Sequence, residues 1–173
     1  MRKKDDPFVL KEAAVRLVEY PGLTWNEPIL LPQDAIRLLC SEFCWYDREV
    51  LAVINMNSKL RPINYSLVNT GILDQSVTHP KEILKNVFLS NAKGIIFVHN
   101  HPSGDITPSK EDIRITDRLS RLCVLAGIEL FDHIIVGALR PDRYYSFRER
   151  SVLKAKPIHY AETLDELNMK VAE

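Results

Sequence analysis

The sequence contains little cysteine, no long apolar run and no excess of charge of either sign. Three cysteines among 173 residues are a low and odd count for a disulfide scaffold, and they favour a reducing, cytoplasmic compartment. The apolar runs are far shorter than the ~18 residues that span a bilayer. The 23 basic and 23 acidic residues balance, so the net charge gives no reason to expect nucleic acid or an anionic membrane as a partner.

Several common sequence signals are also missing. The N-terminal MRKKDDPF has no apolar segment, so we expect no signal peptide there. The motifs H-E-x-x-H, G-x-S-x-G, G-x-G-x-x-G and the P-loop pattern are absent, which removes their metalloprotease, serine hydrolase and nucleotide-binding signatures. What remains is an ordinary globular composition, 46% hydrophobic and 27% charged, at a length that fits one domain.

Helical and strand-like patterns alternate along the chain. Apolar spacing and prolines predict helices at 32–43, 80–90 and 109–126. Short apolar runs predict strands at 49–56, 60–68, 94–100, 128–136 and 144–148, while 13–20 suits either a strand or a helix. Pro62 demotes the second strand to an edge or a bulge. The alternation predicts a three-layer α/β domain, in which helices flank a mixed β-sheet.

The most informative segment begins where the apolar strand 94–100 ends. His99 and His101 are two residues apart, so in an extended chain both imidazoles point to one face with Cα atoms ~6.6 Å apart. Asp112 lies in the first turn of the following helix and can add an oxygen ligand. Two histidines and one carboxylate with an open fourth position form a catalytic zinc arrangement. The spacing therefore predicts one Zn²⁺ per chain, held by His99, His101 and Asp112.

Structural roles stay open for several of these polar residues. A histidine at a strand end is often structural, and the S-x-x-D spacing of Ser109 and Asp112 also suits an N-terminal helix cap. Asp132 and His133 lie within a predicted strand, so their side chains face opposite sides and at most one faces the metal. Outer hydrogen-bond support of a zinc histidine and a polar pair satisfied within the core are both compatible with the sequence.

Two weaker candidate sites lie elsewhere. Cys40 and Cys44 are one helical turn apart and could share a metal, but no other cysteine or histidine is near them in sequence, so we interpret them as buried thiols. Arg140–Lys156 holds six basic residues against two acidic ones, a net charge of +4. A solvated face is the simpler interpretation of this segment, which is nevertheless the candidate nucleic-acid patch.

The segment H-x-H-P-x6-S-x-x-D resembles the signature of the JAMM (MPN+) metalloprotease superfamily, and HNHPSGDITPSKED is similar to the RadC type of JAB domain. Similar stretches also occur at HPKEI (79–83), LFDHIIVG (130–137) and YSF (145–147). The resemblance covers 32–153, which leaves an N-terminal extension at 1–31 and a polar tail at 154–173 with a short predicted helix. It implies the JAB/MPN fold, with an architecture like that of cytidine deaminases.

The resemblance also implies a reaction, the zinc-dependent hydrolysis of an amide in a protein or peptide substrate. It assigns His99, His101 and Asp112 to the zinc, and it assigns Ser109 to the oxyanion of the tetrahedral intermediate. A glutamate would act as general base, taking a proton from the attacking water and returning it to the leaving nitrogen.

Two glutamates compete for the role of general base. Glu49 opens an apolar strand, where no helix dipole explains a carboxylate. Glu82 lies in the first turn of a helix, where the dipole already favours an acid. We predict Glu49, with Glu82 as the alternative. The choice depends on the orientation of the strand that Glu49 opens, because a strand parallel to 94–100 would need to carry its acid to the metal end.

Two other functions compete with hydrolysis. A JAB-like binding module would act on DNA or a DNA-processing complex through Arg140–Lys156, with a structural or vestigial metal. The RadC-type resemblance adds a DNA-repair or mobile-element context but no chemistry. A zinc deaminase would need H-x-E and P-C-x-x-C, and the sequence has neither. The intact ligand set favours the hydrolase.

Overall fold

The computed structural model describes residues 14–43, 46–70, 80–137 and 140–153. The three helices in these ranges are α1 (Pro32–Phe43), α2 (Pro80–Leu89) and α3 (Lys110–Leu125). The five strands are β1 (Val50–Met56), β2 (Pro62–Thr70), β3 (Gly94–His101), β4 (Glu129–Gly137) and β5 (Arg140–Ser146).

The strands form one mixed sheet in the order β2-β1-β3-β4-β5. Only β3 and β4 are parallel among these pairs, and the other neighbours are antiparallel. The predicted hairpin is β1 and β2. Pro62 has no N–H to donate to a neighbouring strand. It lies on the edge strand β2, opposite Met56 of β1, where the register of the two strands shifts between Asn55 and Met56. The edge position and the irregular ladder both accommodate the missing N–H.

Helices cover both faces of the sheet. Alternate residues of β1 and β3, such as Ala52, Ile54 and Ile96, pack with α1 in one core. The intervening residues, such as Val53 and Phe97, pack with α2 and α3 in a second core. Every residue of β1 and β3 is buried, which explains why both strands read as continuous apolar runs. The predicted three-layer α/β domain with a mixed sheet is confirmed.

Two local predictions differ from the structure. The last strand is Arg140–Ser146 rather than 144–148, because the chain turns directly after Ser146, where the Val152 N–H bonds to the Phe147 carbonyl. The charged residues before Tyr144 have no strand-like apolar pattern, although they belong to the strand that pairs with β4. Residues 14–20 are neither helix nor strand, and the predicted tail helix lies outside the described residues.

No helix in the described part of the chain is long and apolar enough to cross a bilayer. Cys123 is a buried free thiol on α3, and burial raises its pKa to about 12. Cys44 and the side chain of Cys40 lie outside the described residues.

Candidate metal centre

Strand β3 delivers both predicted histidines to one face of the sheet. His99 and His101 follow Ile95 and Phe97 at alternate positions, so all four side chains point toward the layer of α2 and α3. His99 is completely buried and His101 almost so. Their Nε2 atoms lie 2.9 Å apart, close enough to converge on one ion.

Helix α3 supplies the carboxylate. Ser109 is the N-cap residue, and its hydroxyl accepts a hydrogen bond from the Asp112 N–H at 3.1 Å. The Ser109 N–H donates in return to Asp112 Oδ2 at 2.7 Å. The capping box that the sequence left open is therefore present, and it has a second effect. With one oxygen held by the cap, Asp112 Oδ1 lies 3.1 Å from His99 Nε2, and Oδ2 lies 3.5 Å from His101 Nε2.

This donor set fits a metal ion. One ligand atom from each of His99, His101 and Asp112 lies within 4.8 Å of the other two. Asp112 Oδ1 is buried and accepts no hydrogen bond. An unpaired buried carboxylate oxygen is costly, and a cation between it and the two imidazoles removes that cost. Two imidazole nitrogens and a carboxylate oxygen form a ligand set for zinc.

The ionisation of the residues at the site also fits metal binding. Burial alone would raise the pKa of Asp112, but the adjacent imidazoles of His101 and His99 outweigh burial and hold this pKa well below its usual range. Burial would lower the pKa of His101, yet Asp112, the Asp105 carbonyl and the negative charge of Glu49 together raise it. A metal ion would therefore compete with protons for these nitrogens, as metal binding to histidine generally does.

Glu49 lies at the same site. An open cavity of about 450 Å³ is lined by Glu49, His101, Ser109 and Asp112, among others. Leu51 pairs with His99 across antiparallel strands, so the start of β1 lies beside the end of β3. The two strands are antiparallel, which brings the start of β1 to the end of β3 that carries His99 and His101. A parallel pairing would place Glu49 at the opposite end of the sheet.

Asn100 fixes the approach to Glu49, a role that the sequence did not suggest. Its side-chain oxygen accepts a hydrogen bond from the Val50 N–H at 2.7 Å, and its amide donates to the Arg48 carbonyl at 3.0 Å. By contrast, Glu82 is exposed on α2 and forms an ion pair with Lys85 at 2.7 Å. It is not among the residues that line this cavity.

Asp132 and His133 take the two roles that the sequence left open. His133 is completely buried, and its Nε2 lies 2.9 Å from His99 Nδ1, so it supports a candidate metal ligand. Burial, followed by the nearby His99, lowers the pKa of His133 well below its ordinary value. Asp132 faces the other side and is satisfied within the core by Ser146 and the Arg148 N–H.

Thr116 contacts His133 as well, and the sequence analysis did not predict it. Its Oγ1 lies 2.5 Å from His133 Nδ1. The available signal was its position four residues after Asp112, which places both side chains on one face of α3.

The basic segment Arg140–Lys156 is only partly described, since Lys154 and Lys156 lie outside the described residues. Arg140 forms an ion pair with Asp142 at 3.0 Å, and the Arg150 guanidinium lies over the Tyr145 ring. Nucleic-acid binding by this segment stays a prediction.

Comparison with known proteins identifies the family. A model of the RadC-like JAB domain matches residues 29–152. The chain is similar to a UPF0758 protein of Desulfitobacterium hafniense, with 42% identity over 122 residues that cover 70% of this chain and 52% of the relative. For a UPF0758 protein of Clostridium tetani the identity is 43% over 128 residues, covering 74% and 55%. A relative in Thermotoga maritima is 42% identical over 114 residues, covering 66% and 50%.

The chain spans about half the length of the curated relatives it matches. The family model covers well over half of the chain, and its range includes β1, β3, α3 and β4, the elements that carry the candidate metal centre. The chain belongs to the RadC-like JAB domain family.

Proposed function

We propose that this protein is a zinc-dependent amide hydrolase that cleaves a peptide or isopeptide bond in a protein or peptide substrate. The supporting observation is that His99, His101 and Asp112 converge at one end of the sheet and that Glu49 and Ser109 line the cavity beside them. The JAB superfamily, to which the family belongs, includes metalloproteases. The proposed compartment is the cytoplasm, on the grounds of the low cysteine count.

His99, His101 and Asp112 would hold the zinc ion. When bound, zinc supplies Lewis acidity, which lowers the pKa of a water ligand toward ~7 and polarises a carbonyl. The cavity is open, and Glu49 and Ser109 line it together with His101 and Asp112, so a substrate carbonyl could reach the ligand cluster through it.

Glu49 would be the general base. It is half-buried at the start of β1, and its charge acts on His101, so it lies close to the ligand cluster. Its carboxylate would accept a proton from the attacking water and return that proton to the leaving nitrogen. The hydrogen bonds of Asn100 to residues 48 and 50 hold the backbone on both sides of Glu49 and so restrict where its carboxylate can lie.

Ser109 would stabilise the oxyanion. Its oxygen accepts the Asp112 N–H as part of the cap, and a hydroxyl that accepts in this way still has its own proton to donate. A donor aimed at the oxygen of a tetrahedral intermediate typically contributes ~10²–10³-fold to kcat. The cap therefore fixes the hydroxyl without consuming its proton.

Matched glutamate variants test the proposal. Glu49→Gln should retain zinc and the melting temperature of the wild-type protein but lose hydrolysis of a panel of peptide and isopeptide substrates by several orders of magnitude. Glu82→Gln is the control, because it carries the same chemical change on an exposed helix. We expect it to retain turnover. Full activity in Glu49→Gln would end its assignment, and a folded, zinc-replete but inactive Glu82→Gln would transfer the role.

The metal assignment has its own test. Wild-type protein should bind about one zinc per chain, as the cluster of His99, His101 and Asp112 predicts, and His101→Ala should bind much less. Equal zinc content in the two proteins would contradict the ligand set. Zinc binding without hydrolysis across the substrate panel would instead favour a binding module over an enzyme.

A further inference from the structure

A chain of hydrogen bonds links two candidate metal ligands through the protein interior. His99 Nδ1 lies 2.9 Å from His133 Nε2, and His133 Nδ1 lies 2.5 Å from Thr116 Oγ1. The Thr116 hydroxyl also contacts the Asp112 carbonyl at 2.5 Å. All four residues are buried, so water does not readily exchange into these contacts. The chain begins on β3, crosses β4 and ends on α3.

The direction of every proton in this chain follows from its last member. A carbonyl oxygen only accepts, so the Thr116 hydroxyl must donate its proton to the Asp112 carbonyl. The Thr116 oxygen then accepts from His133 Nδ1–H. In a neutral imidazole this leaves His133 Nε2 as the acceptor, which takes the Nδ1–H of His99.

This direction determines which nitrogen of His99 is available for a metal. With its proton on Nδ1, His99 presents an unprotonated Nε2 to Asp112 and His101, and only an unprotonated nitrogen can ligate. His101 reaches the same state more simply, because its Nδ1 lies 2.5 Å from the Asp105 carbonyl. The Asp105 carbonyl alone therefore fixes the tautomer of His101, whereas the tautomer of His99 depends on His133, Thr116 and the Asp112 carbonyl.

The ring of His133 is held in place by packing. The Phe147 ring stacks on it with a centroid separation of 4.6 Å and an interplanar angle of 8°. The Phe97 ring meets it at 61° and 4.7 Å. These contacts restrict rotation of the imidazole, so the hydrogen bonds to His99 and Thr116 keep their partners.

We propose that His133 is a positioning residue that fixes His99 in its Nδ1–H tautomer, through Thr116, and so prepares His99 Nε2 to bind the metal. This rests on the metal site of the proposed function but not on hydrolysis. Outer hydrogen-bond partners of metal-binding histidines commonly orient the ring and fix its tautomer, and their loss typically costs ~10–100-fold in metal affinity.

Three variants separate positioning from packing. His133→Phe retains an aromatic ring between Phe97 and Phe147 but has no acceptor for His99. His133→Gln keeps an acceptor oxygen that can reach toward His99. Asp132→Asn is the matched control, because it changes the adjacent buried polar residue on the opposite face of the sheet, away from the chain of hydrogen bonds.

Two readouts decide the outcome. The first is zinc affinity, measured by competition with a chelator at fixed pH. We expect His133→Phe to weaken binding ~10–100-fold, His133→Gln to recover part of that loss, and Asp132→Asn to bind as the wild type does. The second is the tautomer of His99, read from ¹⁵N chemical shifts of the metal-free protein. It should be Nδ1–H in the wild type and lose that preference in His133→Phe.

Different results would overturn the positioning role and the metal site. Wild-type zinc affinity in a folded His133→Phe, or an unchanged His99 tautomer in that variant, would overturn the positioning role. Absence of zinc binding in the wild type would overturn the metal site itself, and with it both proposals. If His133→Phe does not fold, Thr116→Val serves instead, since it removes the acceptor of His133 Nδ1 at nearly constant volume. The same shift of the His99 tautomer is expected, and its absence would count against the chain.

Discussion

Two buried aspartates in this protein have opposite surroundings. The side chains of Asp112 and Asp132 are almost inaccessible, with residue exposures of 1% and 4%. Asp132 lies on the α1 side of the sheet and accepts hydrogen bonds from Ser146 Oγ at 2.6 Å, the Arg148 N–H at 2.9 Å and the His133 N–H at 2.7 Å. Both of its oxygens are paired, and the partners belong to the local chain.

Asp112 lies on the other side of the sheet and is only half satisfied. Its Oδ2 accepts the Ser109 N–H, whereas its Oδ1 accepts no hydrogen bond and faces His99. The pKa values move in opposite directions as well. Burial raises the pKa of Asp132, while the adjacent imidazoles of His101 and His99 overcome burial and lower that of Asp112.

The comparison shows that burial alone does not identify a functional carboxylate. Both aspartates are buried, but only Asp112 leaves an oxygen for something that the chain does not itself supply. A closed hydrogen-bond set stabilises the fold, and an incomplete one beside two imidazoles is the arrangement expected of a ligand site. The two aspartates should therefore respond differently to the same substitution.

The largest expected difference concerns zinc content. Asp112→Asn replaces an anionic ligand with a neutral amide, so zinc affinity should fall by more than the ~10–100-fold typical of an outer partner. Asp132→Asn should bind zinc as the wild type does. Metal analysis after dialysis against a weak chelator measures both variants. Equal zinc loss in the two variants would mean that the two carboxylates are not distinct in the way their contacts indicate.

The next difference concerns stabilisation by zinc. A ligand that binds only the folded state adds about 2.7 kcal/mol to the free energy of unfolding at a hundred times its dissociation constant. Urea unfolding with and without zinc should show a gain of this order for the wild type and for Asp132→Asn. Asp112→Asn should show no gain at the same zinc concentration. A full zinc-dependent gain in Asp112→Asn would place the ion elsewhere.

In metal-free protein, we expect Asp132→Asn to lose more stability than Asp112→Asn. Asp132→Asn places an amide where Asp132 Oδ2 accepts the Ser146 hydroxyl, and a disturbed buried hydrogen-bond set typically costs ~1–3 kcal/mol of stability. Asp112→Asn loses the negative charge that the two imidazoles stabilise, but its new amide can donate to a histidine nitrogen in return, so it should cost less than Asp132→Asn. Urea unfolding in the presence of a chelator gives both values, and a larger loss in Asp112→Asn would contradict this prediction.

The ligand cluster was predictable because its signal is local. His99 and His101 occupy alternate positions of one strand, and Asp112 begins the next helix, so their convergence requires only a strand, a loop and a helix. The sheet order was less accessible, because strand pairing depends on contacts between distant segments. The antiparallel pairing of β1 with β3 is one such contact, and it brings Glu49 to the cavity beside the ligand cluster. The role of Glu49 as general base stays a prediction.

The supporting residues needed the structure. Thr116, Asn100 and the Asp105 carbonyl act through side-chain or backbone hydrogen bonds across the fold, and their residue types alone carry no metal signature. Strand alternation predicts that the side chains of Asp132 and His133 face opposite sides of the sheet. It could not assign the faces, because that assignment depends on the register of β4 against β3.

The smallest expected effect is a pH dependence that only Asp132 should show. Burial raises its folded pKa above the ordinary value near 3.8, despite hydrogen bonds from Ser146 and the Arg148 N–H. As pH rises through that ordinary value, the unfolded chain releases its proton first and the folded protein keeps its own. The folded state then holds more protons, so stability falls with rising pH until the folded pKa is passed.

Asn at this position has no such titration. The stability advantage of the wild type over Asp132→Asn, measured by urea unfolding with a chelator between about pH 4 and 7, should therefore shrink as pH increases. An advantage that grows with pH would mean that the three hydrogen bonds outweigh burial, and Asp132 would then resemble Asp112 in its ionisation while differing from it only in having no unpaired oxygen.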